Sequence, residues 1–274
     1  DAGMTMDGWQ YTNWFGTNTA DLPAAFATNV TGLTGDTTYY YRFYGSNSYG
    51  GNWAGTSASF TTLVDWNAWP YKTKITFSWY TNGLNEILTN FPALVTLSTN
   101  IAYFDYSQFS SLSAFDLRFS DSNDTAELNY EIEEITTGAT SYIWVQAPRI
   151  ATSNDYIWAH WGNPAATQKA YTTNGATWNA DFDAVWHLDQ TNNAEDLRDS
   201  TVNLNNGTDS GTTNAVGRIS YGQSFDAIGD YINCGSGASL DHADDLQTIS
   251  IWVNTTNFPA SAQSGLVTKN NGQA

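Results

Sequence analysis

The sequence predicts an all-β chain arranged as tandem β-sandwiches, and three observations carry that expectation. Aromatic residues make up 15% of the chain and charged residues only 13%. Thr, Ser, Asn and Gly must therefore supply the polar surface, and they favour strands and turns over helices. Apolar residues recur at every second position in several short runs, the period of a half-buried strand. Clusters of Asn, Asp, Gly and Ser separate those runs at the intervals expected of sheet-on-sheet folds. With 274 residues and 41% hydrophobic content, the chain is long enough for two or three packed domains.

Taken in order, Phe26 to Leu33 reads as a strand and turn. Thr37 to Asn47 reads as one long strand with Tyr39, Tyr41 and Phe43 on a single face. Tyr49-Gly50-Gly51-Asn52 is the expected hairpin turn, and Ala58 to Thr62 the closing strand. Next, Tyr71 to Trp79 alternates, with Lys72, Lys74 and Thr76 on one face and Thr73, Ile75 and Phe77 on the other. Further strands are expected at Ala93 to Ser98, Asp116 to Ser120, Glu127 to Glu134, Ser141 to Ala147 and Asp155 to Trp161. Turn clusters at Asn82-Gly83, Asp121 to Asp124, Thr137-Gly138 and Ser153-Asn154 divide them. Six strands at this spacing favour a sandwich over a barrel. From Trp178 the pattern changes, and Thr248 to Val253 is expected to point Ile249, Ile251 and Val253 inward.

Three resemblances follow from these residues. Val30-Thr-Gly-Leu33, Thr38-Tyr39, Arg42, Asn47-Ser-Tyr-Gly50 and Ser59-Phe-Thr-Thr62 resemble the second half of a fibronectin type III domain, spanning 1–64. There Tyr39 stands at the position of a corner tyrosine. Trp69 to Ile75, Leu88 to Val95, Phe115 to Phe119, Leu128 to Glu133, Ile143 to Pro148 and Trp161 to Pro164 resemble the domain of unknown function 2341, spanning 66–168. That resemblance names a module without a reaction. Val185 to Asp189, Asp199 to Thr208, Ser224-Phe-Asp226, Asp230 to Ile232 and Thr248 to Val253 resemble the opening of a laminin-G-like, concanavalin A-like jelly roll, spanning 178–274. The first and last modules are incomplete, so the chain reads as part of a longer exported parent.

Charge excludes whole classes of partner. The formal net charge is −18, with 9 basic against 27 acidic residues. A phosphate backbone needs clustered Lys and Arg, and none are clustered here, so no nucleic acid is expected. Anionic membranes are disfavoured for the same reason, and no 18-residue apolar run would insert into a bilayer. Cys234 is the only cysteine, so no internal disulfide forms, and its strand setting suits a small packed hydrophobe.

Catalytic patterns are sparse. Glu131 and Glu133 share a strand face and could approach the separation of a glycosidase pair, although they lie in a segment typical of the 2341 module. His160, His187 and His242 have no second ligand at metal spacing. A Ser-His-Asp arrangement stays open, but Gly222-Gln-Ser-Phe-Asp226 lacks the final Gly of a nucleophile elbow. Calcium is the one cofactor kept. Asp199, Asn203, Asn205 and Asp226 are its candidate ligands, with Asp196, Asp209 and Asp230 nearby, because Ca²⁺ takes six to eight hard oxygens. The same Asx residues also suit plain turns. The jelly-roll resemblance implies a calcium turn around Asp199. Trp9, Trp14, Trp53 and Trp79 fall near turns and are candidate platforms for sugar rings, whereas Trp144 and Trp252 read as core.

The expected function is a non-catalytic segment of a secreted or cell-surface multidomain protein. Its partner would be a glycan or a cell-surface or matrix protein, and its role adhesion or glycan binding. Two alternatives stand beside it. One is a set of accessory modules for a secreted glycoside hydrolase or protease. The other, implied by the middle resemblance, is the extracytoplasmic portion of a proton-channel-type transport protein.

Overall fold

Alternation in the middle of the chain becomes two antiparallel three-stranded sheets. The computed structural model describes residues 9, 12, 29–81, 86–189, 197–226, 228–241, 247–255 and 266–269. They divide into two compact units, one of residues 1–185 with 199–204, the other of 186–198 with 205–274. Every described strand pairing is antiparallel, so the chain is all-β with several small sheets.

In the first unit, β1 (Thr38–Tyr41) pairs with β4 (Ala58–Thr61), and β2 (Tyr44–Asn47) forms a hairpin with β3 (Gly50–Trp53). The long strand expected over Thr37 to Asn47 is thus two strands, parted at Arg42 and Phe43. Arg42 leaves the ladder to donate from Nε to Ala54 O at 2.8 Å and from a terminal nitrogen to Gly55 O at 2.8 Å. The hairpin turns one residue pair earlier than expected, at Ser48-Tyr49. Of the strand expected at Phe26 to Leu33, residues 26–28 lie outside the described residues and 29–33 form no strand.

The sandwich follows. One sheet has the order β5 (Tyr71–Thr76), β10 (Tyr156–Trp161), β7 (Arg118–Ser120). The other has β6 (Leu88–Leu97), β9 (Ser141–Ile150), β8 (Tyr130–Glu134). Both contribute to one core: Phe119, Ile157, Ala159 and Trp161 from the first, Ala93, Val95, Leu97, Tyr130, Ile143 and Val145 from the second. Each such aliphatic or aromatic side chain stabilises the fold by about 1.5–3 kcal/mol through area removed from water. Lys72 and Lys74 fall on the opposite face of β5 from Thr73 and Ile75, as alternation requires.

Two irregularities shape the second sheet. Pro92 sits inside β6, which is tolerable because β6 is an edge strand whose missing N–H need not pair. The β8–β9 register shifts between Ile132 and Glu134, a bulge that adds Glu133 to the strand. The turn expected at Asn82-Gly83 lies outside the described residues.

The second unit contains β11 (Thr208–Ser210) paired with β14 (Tyr231–Asn233), and β12 (Thr213–Val216) paired with β13 (Tyr221–Ser224). A bridge joins Leu197 to Gly207. The strand expected over Thr248 to Val253 is not formed: no described strand pairs with it, and an unpaired backbone ladder has no reason to extend. Ile249, Ile251 and Val253 are exposed rather than inward, and Trp252 is 80% exposed rather than core.

Candidate functional site

Sheet pairing assembles one dense polar cluster on the outer face of β7 and β10. Ser120, Arg118 and His160 are fully buried there, although all three point away from the apolar core. Residues 65–69 cover them. Asp65 caps a short 3-10 turn, Trp66 donates its indole N–H to Asp124 O at 2.9 Å, and Trp69 donates to Asp116 O at 2.9 Å. The Trp66 ring stacks on the His160 imidazole with centroids 4.2 Å apart.

Ser120, His160 and Asp124 therefore meet, the residue types of a hydrolytic triad. Their geometry is different. Ser120 Oγ lies 2.9 Å and Asp124 Oδ1 3.2 Å from the same ring nitrogen, Nε2, while Nδ1 is buried without a hydrogen-bond partner. A triad needs the hydroxyl on one nitrogen and the carboxylate on the other. Here Ser120 Oγ instead donates to Asp124 Oδ1 at 2.6 Å. Burial drops the imidazole to about 4, so His160 is neutral at physiological pH. Burial alone would raise the Asp124 carboxyl, but hydrogen bonds from Lys72 and Ser120 outweigh it and hold the group below its usual value.

Arg118 anchors the adjoining network. Its side chain is 2% exposed, its Nε faces Glu127 Oε1 at 3.0 Å, and it donates to Phe115 O, Leu117 O and Thr167 O. Glu127 also accepts the Tyr171 hydroxyl and lies 3.5 Å from Lys169 Nζ, which in turn donates to Asp36. Burial raises both Tyr171 and Tyr130, the latter to about 12, so both phenols stay protonated donors. Beside them Asp116 is 1% exposed and accepts Ser110 N–H and Gly162 N–H, each at 2.8 Å.

The expected carboxylate pair sits on the outer face of β8. Glu133 accepts the Trp144 indole N–H at 2.8 Å, and Glu131 accepts that of Trp178 at 2.7 Å and the Ser200 hydroxyl at 2.7 Å. The two indoles pack at 5.3 Å. Trp144 is thus half-buried under Trp178, outside the sandwich core. The Glu131 carboxylate clasps Trp178 and Ser200 to the sheet, helped by Asn129 donating to Ala176 O and Gln146 to Thr177 O.

The calcium candidates make local bonds. Asp199 is fully buried. Its Oδ1 accepts Val185 N–H and Thr201 N–H, each at 2.9 Å, and its Oδ2 accepts the Thr201 hydroxyl at 2.9 Å. Asn203 donates to Asp183 O at 3.0 Å, Asn205 to Ser239 Oγ at 2.8 Å, and Asp226 accepts Ile228 N–H at 2.7 Å. Asp209 likewise accepts Thr212 N–H, and Asp230 accepts Asp226 N–H. Asp196 lies outside the described residues. Among the described residues no group of three or more His, Cys, Asp or Glu is placed to hold a metal ion.

Of the expected aromatic platforms, Trp79 is 55% exposed, while Trp53 is half-buried and stacks on Trp9 at 6.2 Å. Trp14 and His242 lie outside the described residues; His187 and Cys234 are half-buried. Sequence reasoning missed a recess of about 450 Å³ between the β6–β7 loop and the turn after β8. Thr99, Asp105, Ser107, Phe109, Ser110 and Thr137 are among the residues lining it. Its one legible signal was the Ser-rich run from Ser107 to Ser113.

The profile of a family described only as a domain of unknown function (DUF2341) matches residues 113–197. The match covers β7 to β10 and the segment that follows them. No curated protein and no solved structure matches the chain. No described helix is long and apolar enough to cross a membrane.

Proposed function

We propose that this chain is a non-catalytic segment of an extracellular multidomain protein that acts in adhesion by recognising glycans. The observation that carries the reading is the commitment of the acids. Glu131 is held by an indole and a hydroxyl, and Glu127 by a guanidinium and a phenol. A carboxylate so engaged holds the fold and is poorly placed to move protons for a substrate. The shared ring nitrogen of Ser120 and Asp124 likewise leaves no path to an activated hydroxyl. What remains available at the surface is hydroxyl- and amide-rich, with exposed rings such as Trp79 and Tyr103. Such a surface suits shallow contacts with uncharged polymers, multiplied by tandem modules acting together.

The flanking segments fit this reading as a partial fibronectin type III module and the opening of a laminin-G-like jelly roll. Tyr39 supports the first: its hydroxyl accepts Thr34 N–H at 2.8 Å, the bond a corner tyrosine makes to a residue just upstream. A glycan array probed with the whole chain, run beside an assay for newly released reducing ends and cleaved peptide, tests the proposal. Binding without turnover is the expected result. Turnover by the purified chain, or an array with no binding at all, would overturn it.

A further inference from the structure

The loop from Ser98 to Leu117 joins β6 to β7 without a strand of its own, yet it is firmly built. Phe104, Tyr106, Ala114 and Leu117 are buried in the core. The Tyr106 hydroxyl bonds to Leu97 O at 2.9 Å, Ala139 O at 2.8 Å and Ser141 Oγ at 2.7 Å. Asp105 and Gln108 form a reciprocal capping box, and Gln108 also accepts the Trp161 indole N–H at 2.9 Å. Ordered loops of this length inside compact domains are uncommon, and they are usually functional.

The loop and the turn around Thr137 border the open recess of about 450 Å³, a volume within the size range of small-molecule sites. Phe109 and Ile135, both half-buried at the edge of the core, give it an apolar base. Thr99, Ser107, Ser110 and Thr137 are exposed and line it with hydroxyls. Asp105 is the single charged residue of its lining, and the Ser107 backbone and side chain hold that carboxyl below its usual range, so it stays ionised.

We propose that this recess is a carbohydrate subsite for uncharged sugars, with room for about one or two pyranose rings. This rests on the glycan-binding reading above and narrows it to one place and one ligand class. The C–H face of a pyranose packs on the Phe109 side of the recess, as apolar surface does wherever water is expelled. Its hydroxyls exchange hydrogen bonds with the Ser and Thr rim and donate to the Asp105 carboxylate, a charge-assisted bond stronger than a neutral one. The same carboxylate, in a chain of net charge −18, repels uronic and sialic acids.

Amide-resolved NMR titration of the whole chain tests this, using cellobiose, lactose and methyl galactoside against glucuronate and sialyllactose. Uncharged sugars should shift amides of residues 99–112 and 135–138, and the acidic ones should leave them still. Ser110→Trp, which fills the recess from an exposed position, should weaken binding about tenfold or more. Thr137→Trp blocks the opposite side and should do the same if Ser110→Trp fails to fold. Shifts centred elsewhere, with both variants binding like the parent, overturn the recess while leaving glycan binding in place. Glucuronate or sialyllactose shifting the same amides as strongly overturns the ligand class. No response to any sugar here, together with an empty glycan array, removes both readings.

Discussion

Glu131 and Trp178 are joined by a buried hydrogen bond of 2.7 Å across 47 positions of chain, carboxylate to indole N–H. The Ser200 hydroxyl reaches the other oxygen of the same carboxylate. One strand residue thereby clasps two stretches that follow the sandwich. Glu131→Leu removes both accepting oxygens, so the buried Trp178 indole N–H loses its partner. Such a loss costs about 1–3 kcal/mol. Hydrogen exchange should quicken at residues 176–178 and 199–201 and stay unchanged in β10; equal protection would show that packing alone secures these segments.

Gly175 makes that clasp sterically possible. Its φ is +86°, and a Cβ there would stand 2.5 Å from Val202 N. Gly175→Ala meets both the left-handed backbone penalty and a backbone clash, and it should destabilise the first unit by more than about 1 kcal/mol. Chemical denaturation gives the value, and a variant as stable as the parent would contradict the close approach.

Acid should loosen the fold through His160. Its folded value of about 4 lies below the ordinary 6.5, so the unfolded chain takes up a proton that the folded chain refuses. The stability is whole above pH 6.5 and falls as the pH drops from there towards 4. At roughly 1.4 kcal/mol per pH unit, the loss is on the order of 3 kcal/mol at most. Denaturation curves of the parent and of His160→Gln between these pH values should diverge, the variant showing the flatter profile. Parallel profiles would mean that His160 does not govern the acid response.

Glu127→Gln should be among the most damaging single changes. It leaves the Arg118 guanidinium, 2% exposed, without its carboxylate, and breaking a buried pair from one side costs about 3–5 kcal/mol. Replacing both residues with Met should recover much of that loss. A double variant no better than Glu127→Gln would show that the bonds of Arg118 to three carbonyl oxygens, not its charge, dominate.

Chelation of divalent cations should leave the melting transition where it is. Both Asp199 oxygens already accept donors from Val185 and Thr201, so the turn is closed by the chain's own N–H and O–H groups. Asp199→Ala should lower the midpoint with or without chelator. A drop on chelation alone would place calcium at the residues around Asp199.

Alternation made the sandwich legible. Lys72 and Lys74 opposed to Thr73 and Ile75 could be read directly, because β5 is an edge strand with one wet face. The start of β6 was hidden by Pro92, which only an edge position accommodates. Ile249, Ile251 and Val253 show the reverse error: period two marks which side chains share a face and says nothing of whether a neighbour will cover it. The polar cluster was illegible for another reason. Ser120 and His160 are 40 positions apart and meet through the β7–β10 register, which pairs Trp158 with Ser120 and is encoded in no local pattern. The recess was hidden likewise, since its two sides come from loops separated by β7 and β8.

The indoles of Trp66 and Trp69 also decide where the sandwich may safely be cut. Both rings precede β5, the first strand of the two three-stranded sheets, yet they roof His160 and bind carbonyl oxygens at 124 and 116. A shortened protein beginning at Tyr71 would keep every strand of both three-stranded sheets and still flood its most polar interior with solvent. The amino-terminal border of the sandwich therefore lies at or before Asp65, upstream of the first strand of its two three-stranded sheets.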